Sequence, residues 1–192
     1  SRQVKVFRKM LRFTAFLVFP AMFGLSMVAH EFIILLISDK WIDSIPLLRI
    51  LCISGAFLPF YTMYQNLIIS RGKSAVYMWC TVAFVIVYYR QGVIFMVSAY
   101  TVVTILWFFV WQFFAKREIG LRLIDALKDI SPYLLASVGV MVFTYYITSF
   151  VNNLLLLLIV RIVLAGLLYF FIMKWAGSQI LEDCIGYIRK KK

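Results

Sequence analysis

Glu31, Arg49, Gln65, Asn66 and Arg161 stand inside long apolar runs, and any chemistry of this chain starts from them. An ionisable group at the centre of a membrane helix costs roughly 2.5–3.5 kcal/mol on insertion scales. Such a group persists where it faces a bundle interior or a wet cavity. Arg161 is the clearest case, with Leu154–Val160 before it and Ile162–Leu168 after it. A guanidinium stays charged in a low dielectric and grips a phosphate or carboxylate bidentately. It can also snorkel outward or pair with a helix-end carbonyl. Arg49 lies one turn inside its run, where snorkelling is easier. Glu31 suits proton or cation coupling, an ion pair with Arg49, or a plain interfacial position. Gln65 and Asn66 either line a polar path or bond between helices. The substrate-binding candidates are therefore Arg49, Arg161, Gln65 and Asn66, and Glu31 is the coupling-ion candidate.

Other constellations fail on spacing. The chain has one histidine, and His30-Glu31 is not followed by a second His four residues on, so the zinc-protease pattern is absent. There is no glycine-rich nucleotide motif. Asp39 and Asp43 flank Lys40-Trp41 and read as two solvated acids on a short loop. Cys52, Cys80 and Cys184 are odd in number and far apart, which indicates neither a disulfide framework nor a zinc site. No catalytic residue, metal or cofactor is expected, and the chain is not expected to be an enzyme.

The elements that hold these residues follow from composition. Apolar residues make up 64% of the 192 and charged residues 15%, against about 45–50% and about 25% in soluble domains. The setting is a lipid bilayer. Crossing it takes about 20 apolar residues in a helix, and six runs qualify or nearly so: 13–37, 45–69, 74–89, 93–115, 132–151 and 154–176. The run 74–89 is short and is either a stretched span or a re-entrant segment. None of the runs alternates with period two, so helices rather than a barrel are expected. The fold class is an all-α polytopic bundle. Its first four spans fall in 1–115, an amphipathic connector in 116–131, a terminal helix pair in 132–176 and a basic tail in 177–192. Pro20 and Gly24 in the first span and Pro59 in the second are the expected kink positions.

Lys and Arg outnumber Asp and Glu by 20 to 8. With the N-terminus placed in the cytoplasm and six alternating spans, sixteen of the twenty basic residues fall on the cytoplasmic side. The excess charge is thus topological, and no nucleic-acid partner is expected. The connector places Leu123, Ile124, Leu127 and Ile130 on one face and charges on the other, as in a helix lying on the leaflet. The chain opens Ser1-Arg2-Gln3, which points to a piece of a longer protein.

Several segments together resemble a known family. They are the basic stretch before the first span, Pro20-Ala21-Met22-Phe23-Gly24-Leu25 and Ala29. Ser38-Asp39-Lys40-Trp41, Leu47-Leu48-Arg49-Ile50-Leu51, Ser70-Arg71-Gly72-Lys73-Ser74 and Lys116-Arg117-Glu118-Ile119-Gly120 continue the pattern. The chain is similar to the polysaccharide transporters, or O-antigen flippases, of the multidrug/oligosaccharidyl-lipid/polysaccharide exporter superfamily. The resemblance implies the C-terminal part of a two-lobe transporter in the bacterial inner membrane, with both ends of this segment cytoplasmic. The implied partners are membrane lipid, a lipid-linked oligosaccharide and the missing N-terminal lobe. The implied function is translocation of undecaprenyl-pyrophosphate-linked sugar units for O-antigen, capsule or exopolysaccharide. The segment 81–92 is shorter than the family pattern. A multidrug extruder of the same superfamily, which would want buried carboxylates, and a non-transporting membrane scaffold or remnant are the alternatives.

Overall fold

The computed structural model describes residues 2–69, 93–119, 122–151 and 153–176. Six α-helices account for nearly all of them: α1 (Arg2–Met27), α2 (Ala29–Leu36), α3 (Ile45–Ile69), α4 (Val93–Ile119), α5 (Leu123–Ile147) and α6 (Leu154–Trp175). Two short 3-10 segments, Asp39–Ser44 and Thr148–Phe150, lead into α3 and out of α5. The described residues contain no strand. Among the described residues four stretches are long and apolar enough to cross a membrane: Gln3–Met27, Asp39–Asn66, Leu123–Phe150 and Leu154–Trp175. Within α4, Ile94–Val110 is a shorter apolar stretch. The expected span at 74–89, the shortened segment 81–92 and the basic tail lie outside the described residues.

The helices begin and end somewhat differently from the apolar runs. The basic stretch ahead of residue 13 is already helical and forms the first turns of α1. Lys and Arg are good helix formers, and their stems can lie along the helix while their heads reach water. The run 13–37 is divided at Val28 (φ −93°, ψ 11°), between α1 and α2. Pro20 and Gly24 lie inside α1 before that break, and Pro59 lies inside α3. The backbone ladder nearly survives at Val28, whose N–H donates to the Gly24 carbonyl at 3.1 Å. Helix α5 starts at Leu123 and passes through Pro132 without interruption. The connector's last residues are therefore the first turns of a spanning helix. A proline at that point deprives the Lys128 carbonyl of its donor. Lys128 is exposed, so water can meet that carbonyl. Asn153 caps α6 by accepting from the N–H groups of Leu155 and Leu156 at 3.1 and 3.2 Å.

Helix α1 is the hub. Leu11, Ala15 and Phe19 recur every four residues on one of its faces and are fully buried. Ala56, Phe60 and Tyr64 do the same on α3. The two faces interlock through aromatic rings. Phe19 stacks between Phe23 and Phe60, at centroid distances of 5.8 and 5.4 Å, and Phe7 meets Tyr64 edge-on at 5.1 Å. Helix α3 thus runs antiparallel to α1. Phe108 brings α4 onto the outside of α3, against Phe60 and Tyr64. On the other flank α5 runs parallel to α1, and α6 runs antiparallel. Phe16 of α1 sits against Tyr133 of α5 and Tyr169 of α6. The Tyr169 hydroxyl donates to the Phe16 carbonyl at 3.0 Å.

The faces turned outward are equally regular. Val6, Met10, Phe13 and Leu17 on α1 are exposed, as are Leu155, Ile159, Ile162 and Val163 on α6. In water such surfaces would aggregate; in hydrocarbon they are solvated. Several hydroxyls within the spans turn back onto their own helices: Thr101, Thr104 and Ser137 each donate to the carbonyl four residues earlier, at 2.7–2.9 Å. That removes the cost of an unpaired donor where no water is present.

Candidate functional site

The α6 face that packs inward carries Arg161, Ala165, Tyr169 and Met173, four residues apart and all buried. Three are ordinary core residues. The fourth places a guanidinium in the interior. Its Nη1 donates to Glu31 Oε1 at 2.6 Å, and its Nε donates to Thr148 Oγ1 at 3.0 Å. The guanidinium carbon lies 4.8 Å from the centre of the Tyr145 ring. Arg161 and Glu31 are both about 5% exposed, so this is a buried ion pair. Two charges are expensive to desolvate together, and removing one leaves the other uncompensated.

Three helices build this cluster. The break at Val28 lets the short helix α2 carry Glu31 against α6. The end of α5 supplies Tyr145 and Thr148. Thr148 is itself fixed, because its hydroxyl donates to the Thr144 carbonyl at 2.7 Å. Not every polar atom is satisfied: Glu31 Oε2 and the Thr144 hydroxyl oxygen are buried and have no hydrogen-bond partner.

Arg49 lies near the same end of the bundle but in a different environment. It is exposed and lines a cleft of about 420 Å³ between α1, α3 and α5. Ser26, Met27, Met141, Tyr145 and Tyr146 line the same cleft. Among the described residues no carboxylate bridges Arg49. Tyr145 therefore stands between the two arginines: it lines the Arg49 cleft and touches the Arg161 guanidinium. Glu31 pairs with Arg161 rather than with Arg49.

Gln65 and Asn66 do not join this group. They sit sixteen and seventeen residues along α3 from Arg49, about 24 Å away at 1.5 Å per residue. Gln65 is half-buried and Asn66 is exposed. His30, Asp39 and Asp43 are exposed. Pro20 and Gly24 line a second, apolar cavity of about 330 Å³ between α1, α2, α5 and α6, which extends past Val28 to Phe32 and shares Met27 and Met141 with the Arg49 cleft.

A second ionic cluster lies at the opposite end of α1. Asp129 is 6% exposed and accepts from Arg8 Nε at 2.5 Å, Arg8 Nη2 at 3.0 Å and Arg12 Nε at 2.8 Å. Sequence reasoning placed Asp129 on the solvated face of a connector and missed it. Arg8 and Arg12 are one helical turn apart and share a face, which is the signal that an acid would be needed between them. Tyr145 and Tyr146 were also missed, because an aromatic pair at the end of a membrane span is an ordinary interfacial anchor.

The comparisons with known proteins bear on what this arrangement serves. Residues 1–46 match a family described as polysaccharide biosynthesis proteins. A Klebsiella pneumoniae protein named as an uncharacterized membrane protein in the cps region is 33% identical over 67 residues. That stretch covers 35% of this chain and 14% of the relative. No solved structure matches. The chain is a multi-pass helical membrane protein, and its likeness to polysaccharide biosynthesis proteins supports a role in polysaccharide biosynthesis.

Proposed function

We propose that the chain is the C-terminal part of a flippase that moves undecaprenyl-pyrophosphate-linked oligosaccharide across the bacterial inner membrane. Both ends of this segment would be cytoplasmic, and an N-terminal lobe would complete the translocation path. The observation that carries the reading is the Arg49 cleft. A diphosphate head group needs a cation that keeps its charge at membrane depth, and a guanidinium does so. Arg49 offers that charge with no carboxylate neutralising it, beside two tyrosines and a serine able to bond sugar hydroxyls. Arg161 is a less direct candidate, since Glu31 already occupies it.

The same pairing argues against the multidrug alternative. An organic cation seeks a free buried carboxylate. The two buried carboxylates among the described residues, Glu31 and Asp129, are each already engaged by arginine.

The test is translocation of lipid-linked oligosaccharide by the full-length protein. Hydrogen bonds to a charged group contribute about 1.5–3 kcal/mol, which corresponds to roughly 10–100-fold in affinity. Arg49→Ala should lower translocation by about that range, and Arg49→Lys should keep part of it. Undiminished translocation by Arg49→Ala overturns the proposal.

A further inference from the structure

We infer that Glu31 is an internal stand-in for an anionic head group, and that Arg161 exchanges between Glu31 and a lipid diphosphate entering the Arg49 cleft. The inference rests on reading that cleft as a head-group site.

Three features of the buried cluster support exchange. The first is incomplete satisfaction. Asp129 at the other end uses both oxygens and two arginines, whereas Glu31 uses only Oε1, and Oε2 is buried without a partner. A half-satisfied buried acid is costly, and such a group calls for an explanation in a native structure. The second is preorganisation. Thr148 holds Arg161 by Nε, so the guanidinium remains anchored when Glu31 leaves Nη1. A carboxylate and a phosphate suit the same guanidinium geometry, so one can replace the other. The third is access. One face of the exchange is the Tyr145 ring, 4.8 Å from the guanidinium and half exposed on the Arg49 cleft. Movement of that ring would open the Arg161 guanidinium toward the cleft that Arg49 lines. The diphosphate would then be held by both cations, and Glu31 would later displace it from one of them.

The experiment is direct binding of farnesyl diphosphate to the full-length protein in detergent, by calorimetric titration. Removing an internal competitor raises affinity, which loss of structure does not. Glu31→Gln should bind on the order of tenfold tighter than the wild type, within the usual range of coupling between competing ligands. Glu31→Asp keeps the charge on a shorter arm, loosens the pair and should bind a few-fold tighter by the same coupling. Adding Arg161→Gln to Glu31→Gln should abolish the gain. If Glu31→Asp and every folded Glu31→Gln preparation bind no tighter than the wild type, the exchange is wrong. A gain that survives Arg161→Gln also rules it out. Arg49→Ala separates the two levels: unchanged binding in that variant defeats the cleft reading and the inference with it, while weakened binding in Arg49→Ala without a gain in Glu31→Gln defeats the exchange alone.

Discussion

Asp129 is the residue whose loss should be felt most in stability. Removing it takes away the carboxylate that Arg8 and Arg12 share. Breaking a fully buried pair costs about 3–5 kcal/mol. Here both arginine side chains are about a third exposed, at 33% and 30%, so solvent screening lowers the penalty. Asp129→Ala should destabilise the folded protein by about 1–3 kcal/mol, read as a lower midpoint in SDS or thermal unfolding in detergent. Arg8→Ala alone should cost less, because Arg12 still engages Oδ1. At this scale the sequence made certain residues conspicuous but misjudged their partners, since the ion pair it offered Glu31 was with Arg49 and the one formed is with Arg161. Glu31, Arg49 and Arg161 stood out by their depth in apolar runs. That Glu31 takes Arg161, 130 positions away, depends on how α2 meets α6, and no local pattern encodes it. Asp129 was hidden for the converse reason: its own neighbourhood is rich in charge, so burial left no local mark.

Among the helices, close approach depends on a few small side chains. A Cβ added at Gly55 of α3 would lie 3.1 Å from Met22 Sδ on α1, whereas one at Gly139 of α5 meets nothing within 4 Å. Met22 is flexible and can yield to a methyl group, so Gly55→Ala should be nearly neutral. Gly55→Leu should push α1 and α3 apart and cost about 1–3 kcal/mol, as overpacking does. Gly139→Leu should leave unfolding in detergent unchanged. Helix positions were largely readable from hydropathy, because the apolar runs at 45–69 and 154–176 coincide with α3 and α6. Helix ends were not. Hydropathy marks where a chain is apolar, while a helix extends as long as its backbone bonds can be met. α1 therefore begins in a basic stretch, and α5 begins nine residues before Pro132. The break at Val28 had a signal in Pro20 and Gly24, but it falls after them, where α2 turns to reach α6.

The whole molecule carries a basic excess at one end and a balance at the other, where Glu31, Asp39 and Asp43 meet Lys40, Arg49 and Arg161. One end gathers Lys5, Arg8, Lys9, Arg12 and Lys128. The other presents the 3-10 turn with Asp39 and Asp43. Basic residues favour the cytoplasmic face, so a membrane-impermeant maleimide added to intact cells should label Asp43→Cys and spare Lys128→Cys. Both variants need Cys52, Cys80 and Cys184 replaced first. Labelling of Lys128→Cys from outside would invert the proposed orientation.

The parallel course of α1 and α5 has a consequence for biosynthesis. Asp129 neutralises arginines made 121 and 117 residues earlier. At a synthesis rate of roughly 5–20 residues per second, the wait is on the order of 6–24 s. During that interval α1 can pair with α3 through their aromatic faces, but the face it will give to α5 has no occupant. The nascent chain therefore holds a half-built bundle in the membrane until α5 and α6 arrive. A ribosome that stalls before residue 129 would leave both arginines and that bare flank open to capture by whatever membrane helix comes first.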